Sequence, residues 1–209
     1  MLGTYRWGFP SYRRPPQGLR SEALDLIVSW AVLTIAFGAG YLIRGQALGL
    51  AVSAVAVATA FVFHELAHRE VARRYGLVAR YRAWYTGLAI ALALALITAK
   101  LWGLPIVLAA PGAVVIYAYY GIPPPDVEFR VSIAGPLTNL VIGLGLSIAS
   151  KFLSPPASYY TDFIGSVNIW LAFFNLLPIP PLDGFKVMRY SVSTWLAVFI
   201  IAAVALFVL

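Results

Sequence analysis

The chain has 209 residues, of which 61% are hydrophobic and only 11% are charged. Soluble domains average about a quarter charged residues, so this composition excludes an ordinary water-soluble domain and indicates a chain embedded in a membrane. The absence of cysteine excludes disulfides, cysteine-based zinc fingers and thiol catalysis. The net charge of +7 is carried by basic residues that flank apolar runs, which indicates membrane orientation and no binding of nucleic acid.

Two parts are expected along the chain. Residues 1–22 form a basic tail ahead of the first apolar run, and the tail is predicted to lie in the cytosol. This tail lacks the apolar segment and small-residue cleavage site of a signal peptide, so the first run is expected to stay in the protein. Residues 23–209 are predicted to form one membrane-embedded domain, because no stretch of them has the composition of a soluble module.

Seven apolar runs follow the tail, at residues 24–43, 48–67, 84–101, 104–120, 131–150, 163–177 and 192–209. The fourth run contains Pro105 and Pro111 and then several β-branched residues, which predicts a re-entrant or β-like segment near 104–120. The other runs reach or approach the length of about 20 residues that a spanning helix needs. The sequence therefore predicts an all-α polytopic membrane protein with about six membrane spans or their equivalent.

The second apolar run ends in His64-Glu65-Leu66-Ala67-His68, and these are the only two histidines of the chain. On a helix, residues i and i+4 share one face, so both imidazoles can reach the same metal ion. Glu65 is then placed to act as general base for a metal-bound water. An ionisable group at membrane depth is costly, which favours this functional interpretation over a chance match near a helix end.

A catalytic zinc site uses three protein ligands and one open position, so a carboxylate has to complete the set in this chain. Asp183 stands out among the eight acidic residues. It follows an apolar run that Pro178, Pro180 and Pro181 must end, and Gly184 then allows the chain to turn back towards the bundle. An ordinary interfacial turn is the alternative interpretation of the same stretch.

Three motifs together make the chain resemble the site-2 protease family of intramembrane zinc metalloproteases. They are the H-E-x-x-H pattern, the segment Ala134-Gly135-Pro136-Leu137-Thr138-Asn139, and the segment from Asn175 to Gly184 with its Leu-Asp-Gly end. The motifs occur in the order of the family and delimit a catalytic core at about residues 51–184. The resemblance implies an all-helical membrane protease whose substrates are transmembrane proteins.

The resemblance also implies roles for single residues. His64, His68 and Asp183 correspond to the ligands of one zinc ion per chain, and Glu65 corresponds to the group that activates water.

Two asparagines are further candidates. Asn175 precedes the proline run, a position that the resemblance associates with substrate positioning or stabilisation of the oxyanion. Asn139 follows the Gly-Pro motif and is a candidate for the same role. For Asn139, a hydrogen bond between helices is an equally good interpretation.

The orientation in the membrane follows from the ligands and from the charges. His68 and Asp183 both lie at the C-terminal end of a predicted span, so these two spans must run in the same direction. Segment 84–120 should therefore cross the membrane zero or two times. This arrangement collects most Arg and Lys residues on the side of the N-terminus. The sequence predicts a multi-pass protein of the cell membrane whose N-terminus and active-site side are cytoplasmic.

The predicted partners are a transmembrane protein substrate and the lipid bilayer, with no oligomeric state indicated. A membrane metal-ion transporter is the alternative function, because histidines and an aspartate in a helix bundle could pass a metal ion. Transporters tend to contain repeated halves, and the chain shows no repeat. Glu65 would also have no evident use in a transporter.

Overall fold

The computed structural model describes residues 21–108, 112–117 and 123–209, so most of the predicted tail, residues 1–22, lies outside the described residues. The described part is mostly helical. Its elements, in chain order, are α1 (Glu22–Phe37), α2 (Ala39–Ile43), α3 (Ala47–Val57), a π-helical turn (Ala58–Val62), α4 (Phe63–Arg74), β1 (Val78–Ala83), α5 (Tyr85–Trp102), β2 (Gly112–Tyr117), α6 (Pro125–Ser150), α7 (Ala157–Asn175), α8 (Asp183–Tyr190) and α9 (Val192–Val208).

Within the described ranges, three helices are long and apolar enough to cross a membrane. They are Ala47–Arg74, which runs continuously through α3, the π turn and α4, then Tyr85–Trp102, and Pro125–Ser150. Helix α9 is apolar but shorter, with 17 residues. These helices agree with a membrane protein, and the total of about six spans stays a prediction.

The first apolar run, residues 24–43, forms two helices where the sequence predicts one span. Helix α1 ends at Phe37, and α2 begins at Ala39. The break lies at Gly38, where an added Cβ would lie 2.7 Å from Leu50 Cδ1 and 2.8 Å from the Thr34 carbonyl oxygen. The close passage of α3 beside this glycine is a tertiary contact, so the run itself carries only Gly38 as a weak local sign of the break.

Strands β1 and β2 pair as an antiparallel two-stranded sheet, with Tyr81 opposite Val114. The predicted extended segment near 104–120 is therefore confirmed for residues 112–117. The all-α class omits the sheet, because β1 was not predicted. In β1 the buried Ala79 and Tyr81 alternate with the exposed Val78 and Arg80, the pattern of a strand with one covered face.

Helix α6 packs along both α7 and α4 and forms the centre of the fold. Glycines allow α6 and α7 to approach closely: a Cβ added at Gly143 would lie 3.1 Å from the carbonyl oxygen of Gly165. Small residues at helix contacts are typical of membrane bundles, where van der Waals packing is the main attraction between helices. The candidate site lies where α4, α6, α7 and α8 meet.

Candidate metal centre

Helix α4 presents three polar side chains to the interior of the bundle. His64, Glu65 and His68 are 3%, 7% and 6% exposed, so all three are buried. The spacing i, i+4 places the two imidazoles on one face of the helix, as predicted. Their Nε2 atoms lie 2.9 Å apart. Each ring therefore directs its Nε2 atom towards one common point.

The carboxylate of Asp183 reaches that point from another element. Asp183 Oδ2 lies 3.3 Å from His64 Nε2 and 3.0 Å from His68 Nε2. Asp183 begins α8, directly after the loop of residues 176–182 that carries the three prolines. An added Cβ at Gly184 would lie 2.1 Å from the Leu176 carbonyl oxygen, so the loop folds tightly against the end of α7. A glycine at this position is required for the carboxylate to turn back into the bundle.

Gly135 of α6 makes room for both histidine rings. A Cβ added at this residue would lie 2.4 Å from His68 Nε2 and 2.6 Å from His64 Nε2. No side chain other than hydrogen fits between α6 and the two nitrogens. The Gly-Pro motif of α6 thus touches the centre itself, which the sequence could indicate only through the family resemblance.

The other nitrogen of each imidazole has its own buried partner. His68 Nδ1 lies 2.7 Å from the carbonyl oxygen of Val131, which can only accept a hydrogen bond. His64 Nδ1 bonds to Asn139 Oδ1. A histidine whose Nδ1 carries the proton has a free lone pair on Nε2. These contacts leave both Nε2 atoms available as metal ligands.

The three converging side chains fit zinc. The candidate ligand atoms of His64, His68 and Asp183 lie within 4.8 Å of one another. Two imidazoles and one carboxylate form a known set for catalytic zinc, with the fourth position open. Glu65 supplies a second sign, because its buried Oε2 has no hydrogen-bond partner among the described residues. A buried carboxylate oxygen without a partner is costly, and a water at the metal position would satisfy it.

A cleft of about 130 Å³ opens beside these residues. Its walls include Glu65, strand β2, the end of α7 and the start of α8. Asn175 lies in this wall and donates from Nδ2 to the Leu171 carbonyl oxygen of its own helix, at 3.0 Å. Asn139 is fully buried and contacts His64, so its geometry favours the interpretation as a hydrogen bond between helices.

Two further residues bear on the centre and were not among the residues predicted from the sequence. Lys186 lines the cleft, and its Nζ lies 3.5 Å from Asp183 Oδ1. The spacing i, i+3 at the start of a helix was the available signal for Lys186. Asn168 of α7 bonds to Asn139. Its signal was an amide in the middle of an apolar run, where a polar group needs a partner.

Comparison with known proteins identifies the family to which the chain belongs. Residues 150–208 match the model of peptidase family M50. The chain is 39% identical over 176 residues to "Putative zinc metalloprotease MJ0611" of Methanocaldococcus jannaschii. The aligned region covers 83% of this chain and 86% of the relative. It is 29% identical over 156 residues to "Zinc metalloprotease MJ0392" of the same organism, covering 74% of this chain and 38% of that relative.

A third relative is "Putative zinc metalloprotease Rip3" of Mycobacterium tuberculosis, which is 30% identical over 141 residues, 65% of this chain and 30% of the relative. No solved structure is a significant match. The resemblance derived from the three motifs is confirmed by the family model and by the first relative. The chain belongs to peptidase family M50, the site-2 protease family of zinc metalloproteases.

Proposed function

We propose that this chain is an intramembrane zinc metalloprotease, which hydrolyses peptide bonds in or near the transmembrane segments of other membrane proteins. The observation that carries the proposal is the convergence of His64, His68 and Asp183 beside the buried Glu65 Oε2, which has no hydrogen-bond partner in the described part of the chain. His64, Glu65 and His68 lie near the end of a helix that is long and apolar enough to span a bilayer, and Asp183 reaches them from α8. Ionisable groups at such a position are costly unless they serve a function.

The proposed ligands are His64, His68 and Asp183, and they hold one zinc ion per chain. Zinc bound there supplies Lewis-acid activation of a water molecule and of the scissile carbonyl. Glu65 accepts the proton of the attacking water and passes it to the leaving amine. Asn175, in the wall of the cleft, is proposed to hold the substrate or to stabilise the oxyanion.

The substrate backbone needs hydrogen-bond partners once its helix unwinds, because lipid supplies none. Strand β2 has such partners at its outer edge. The backbone N–H of Tyr81 donates to Glu22 Oε1, at 3.1 Å, and so points away from β2. Opposite residues in an antiparallel pair are either both bonded to each other or both not. Val114, opposite Tyr81, therefore directs its own N–H and C=O away from β1.

The alternation of an antiparallel ladder extends this assignment to Gly112 and Ile116, which also point outwards. Gly112, Val114 and Ile116 all line the cleft. Among the described residues the sheet contains only two strands, so this edge meets no third strand there. We propose that an unwound stretch of substrate pairs with this edge, since added-strand pairing binds main chain with little demand on sequence.

The proposed location is the cell membrane, with several spans and with the N-terminus and the cleft on the cytoplasmic side. The chain contains no cysteine, so single cysteines report accessibility without background. Ile179 in the proline loop and Phe152 after α6 are both exposed, at 55% and 84%. Ile179→Cys should react with a membrane-impermeant thiol reagent from the cytoplasmic side, and Phe152→Cys from the other side. Labelling of Ile179→Cys from the outer side would overturn the orientation.

The test of the function is the Glu65→Gln variant in proteoliposomes with a labelled transmembrane substrate. Removing a general base should lower turnover by about 10²–10⁴-fold while zinc content stays at the level of the unaltered protein. The matched control is Glu70→Gln on the same helix, because Glu70 is exposed and pairs with Arg74. Normal turnover in Glu65→Gln would contradict the proposal. A transporter, the alternative function, should pass metal in both variants and cleave nothing in either.

A further inference from the structure

Three polar side chains form a connected chain of hydrogen bonds within the apolar helices. We call this chain the polar seam, and it consists of Thr59 in the π turn, Asn139 in α6 and Asn168 in α7. Asn139 and Asn168 are both 0% exposed. Asn139 Nδ2 donates to Asn168 Oδ1 at 3.1 Å, and Asn168 Nδ2 donates to Thr59 Oγ1 at 3.0 Å. The seam therefore joins three helical segments through groups that do not meet the cleft.

The direction of every bond in the seam is fixed by backbone carbonyls, which can only accept. Asn168 Nδ2 lies 2.9 Å from the carbonyl oxygen of Ile164. Because the Ile164 carbonyl can only accept, the NH₂ group of Asn168 must face Ile164, and Oδ1 of Asn168 must face Asn139. Asn139 Nδ2 lies 2.8 Å from the carbonyl oxygen of Ala60, so its own NH₂ group is fixed in the same way. Neither amide can be flipped without placing two acceptors against each other.

The consequence at the metal centre is a defined tautomer. Because the Asn139 NH₂ group is committed to Ala60 and Asn168, its Oδ1 must face His64 Nδ1. An acceptor at that place keeps the proton on Nδ1 and leaves the Nε2 lone pair for the metal. The seam thus determines which His64 nitrogen is free, and its member Asn168 does so from two hydrogen bonds away.

The seam also holds the backbone that carries His64. The NH₂ groups of both asparagines donate to the π turn, Asn139 to the Ala60 carbonyl and Asn168 to the Thr59 hydroxyl. A π turn is rare and less favourable than regular α-helix, and it persists where side chains bond to its backbone. The turn ends at Val62, two residues before His64. Its geometry therefore sets the direction in which α4 presents the ring.

We infer that Asn168 is a positioning residue of the metal centre: it holds Asn139 and the π turn so that His64 Nε2 faces the metal position. Asn168 is not part of the cleft wall and touches none of the proposed ligands, so it acts only through its two neighbours. This inference rests on the proposed function, because it concerns the same zinc ligands.

The test compares Asn168→Leu, which has a similar branched shape and no polar group, with Ser150→Ala. Ser150 also bonds between α6 and α7, from Oγ to Asp162 Oδ1 at 3.2 Å, but it lies about 16 Å along α6 from Asn139. Ser150→Ala therefore removes a partly buried hydrogen bond between the same two helices without touching the seam. Zinc affinity is measured by competition with a chelator. The visible spectrum of the Co²⁺-substituted protein reports the geometry of the ligands.

Asn168→Leu should weaken zinc binding by about tenfold and should shift the Co²⁺ spectrum. This loss is at the low end of the roughly 10–100-fold range for losing a direct partner of a metal ligand, because Asn168 acts through Asn139. Ser150→Ala should change neither. If Asn168→Leu behaves like Ser150→Ala in both measurements, the inference is overturned while the proposed function stands. If the His64→Ala variant binds zinc as tightly as the unaltered protein does, the proposed function itself fails.

A second variant covers the case in which Asn168→Leu does not fold. Thr59→Val keeps the volume of the side chain and removes the acceptor of the Asn168 NH₂ group. It also removes the bonds of the hydroxyl to the carbonyls of Val55 and Ala56 within the same helix. It should lower zinc affinity by about tenfold or less and move the Co²⁺ spectrum in the same direction. An unchanged spectrum and affinity in Thr59→Val would then overturn the inference.

Discussion

The histidine side and the aspartate side of the centre are held in different ways. On the histidine side, each ring has a buried acceptor on Nδ1, namely Asn139 for His64 and the Val131 carbonyl for His68. On the aspartate side, Asp183 follows a partly exposed proline loop, and Asp183 Oδ1 lies 3.5 Å from Nζ of the partly exposed Lys186. The first side is built from long helices, and the second from a loop and a short helix.

This difference separates two tasks. The histidine side is enclosed by α6 and α7 and has the geometry of a fixed frame for the ion. The aspartate side and strand β2 form the walls of the cleft that face the two histidines and Glu65 across it. Changes on the histidine side should therefore act most strongly on metal binding, changes on the aspartate side more weakly, and changes at strand β2 on substrate binding. The predictions below test this division.

The largest difference is expected between His64→Ala and Asp183→Asn. His64→Ala removes a ligand and also leaves Asn139 Oδ1 buried without a partner. Asp183→Asn loses the charge but keeps an oxygen that can face the ion. His64→Ala should lower zinc affinity by more than the roughly 10–100-fold expected for an outer-sphere change, and by more than Asp183→Asn does. Metal analysis with chelator competition measures both, and equal losses would break the division between the two sides.

An intermediate effect is expected at the edge of β2. Val114→Pro removes an N–H that points to the cleft, whereas Val115→Pro removes one that pairs with β1. Losing one substrate hydrogen bond in Val114→Pro should raise KM by about fivefold, with zinc content and thermal stability nearly unchanged. Val115→Pro should instead lower thermal stability, because it disrupts the sheet. If both variants have the same effect, β2 is structural and the substrate is held elsewhere, with Asn175 the next candidate.

The smallest effect is expected for Lys186→Met. The Lys186 side chain is 32% exposed, so water screens its attraction to Asp183. Zinc affinity should fall by about threefold or less, and Lys186→Arg should restore it. A loss as large as that expected for Asn168→Leu would show that the aspartate side depends on a fixed frame as much as the histidine side does.

Much of this arrangement could be predicted from local sequence. The helical spacing of His64 and His68 follows directly from i and i+4, and the prolines after Asn175 predict where α7 ends. The β-branched residues near 112–117 indicated an extended segment. In each case the information lies within a few residues of the chain.

The remaining features depend on contacts between distant segments. Strand β1 is short, and one reason for its position is the Glu22 carboxylate of α1, which accepts the N–H of Tyr81. Asn168 stands alone in an apolar run, and only the packing of α7 against α6 and the π turn gives it partners. No local pattern can indicate such pairings, because each residue is distant in sequence from its partner.

The π turn makes the length of one helix matter more than its composition. A π turn accommodates one residue more than regular α-helix does over the same rise. Deleting one residue among 58–62 would let α3 continue into α4 as a regular helix, and the segment should still insert into a membrane. Because the turn absorbs its extra residue, the deletion would keep His64, Glu65 and His68 on nearly the same face relative to α3. It would, however, disrupt the stretch whose Ala60 carbonyl and Thr59 hydroxyl accept from Asn139 and Asn168. We expect a protein that is produced and inserted at normal levels but binds zinc more weakly, whereas exchanges among apolar residues at exposed positions of α3 should be tolerated.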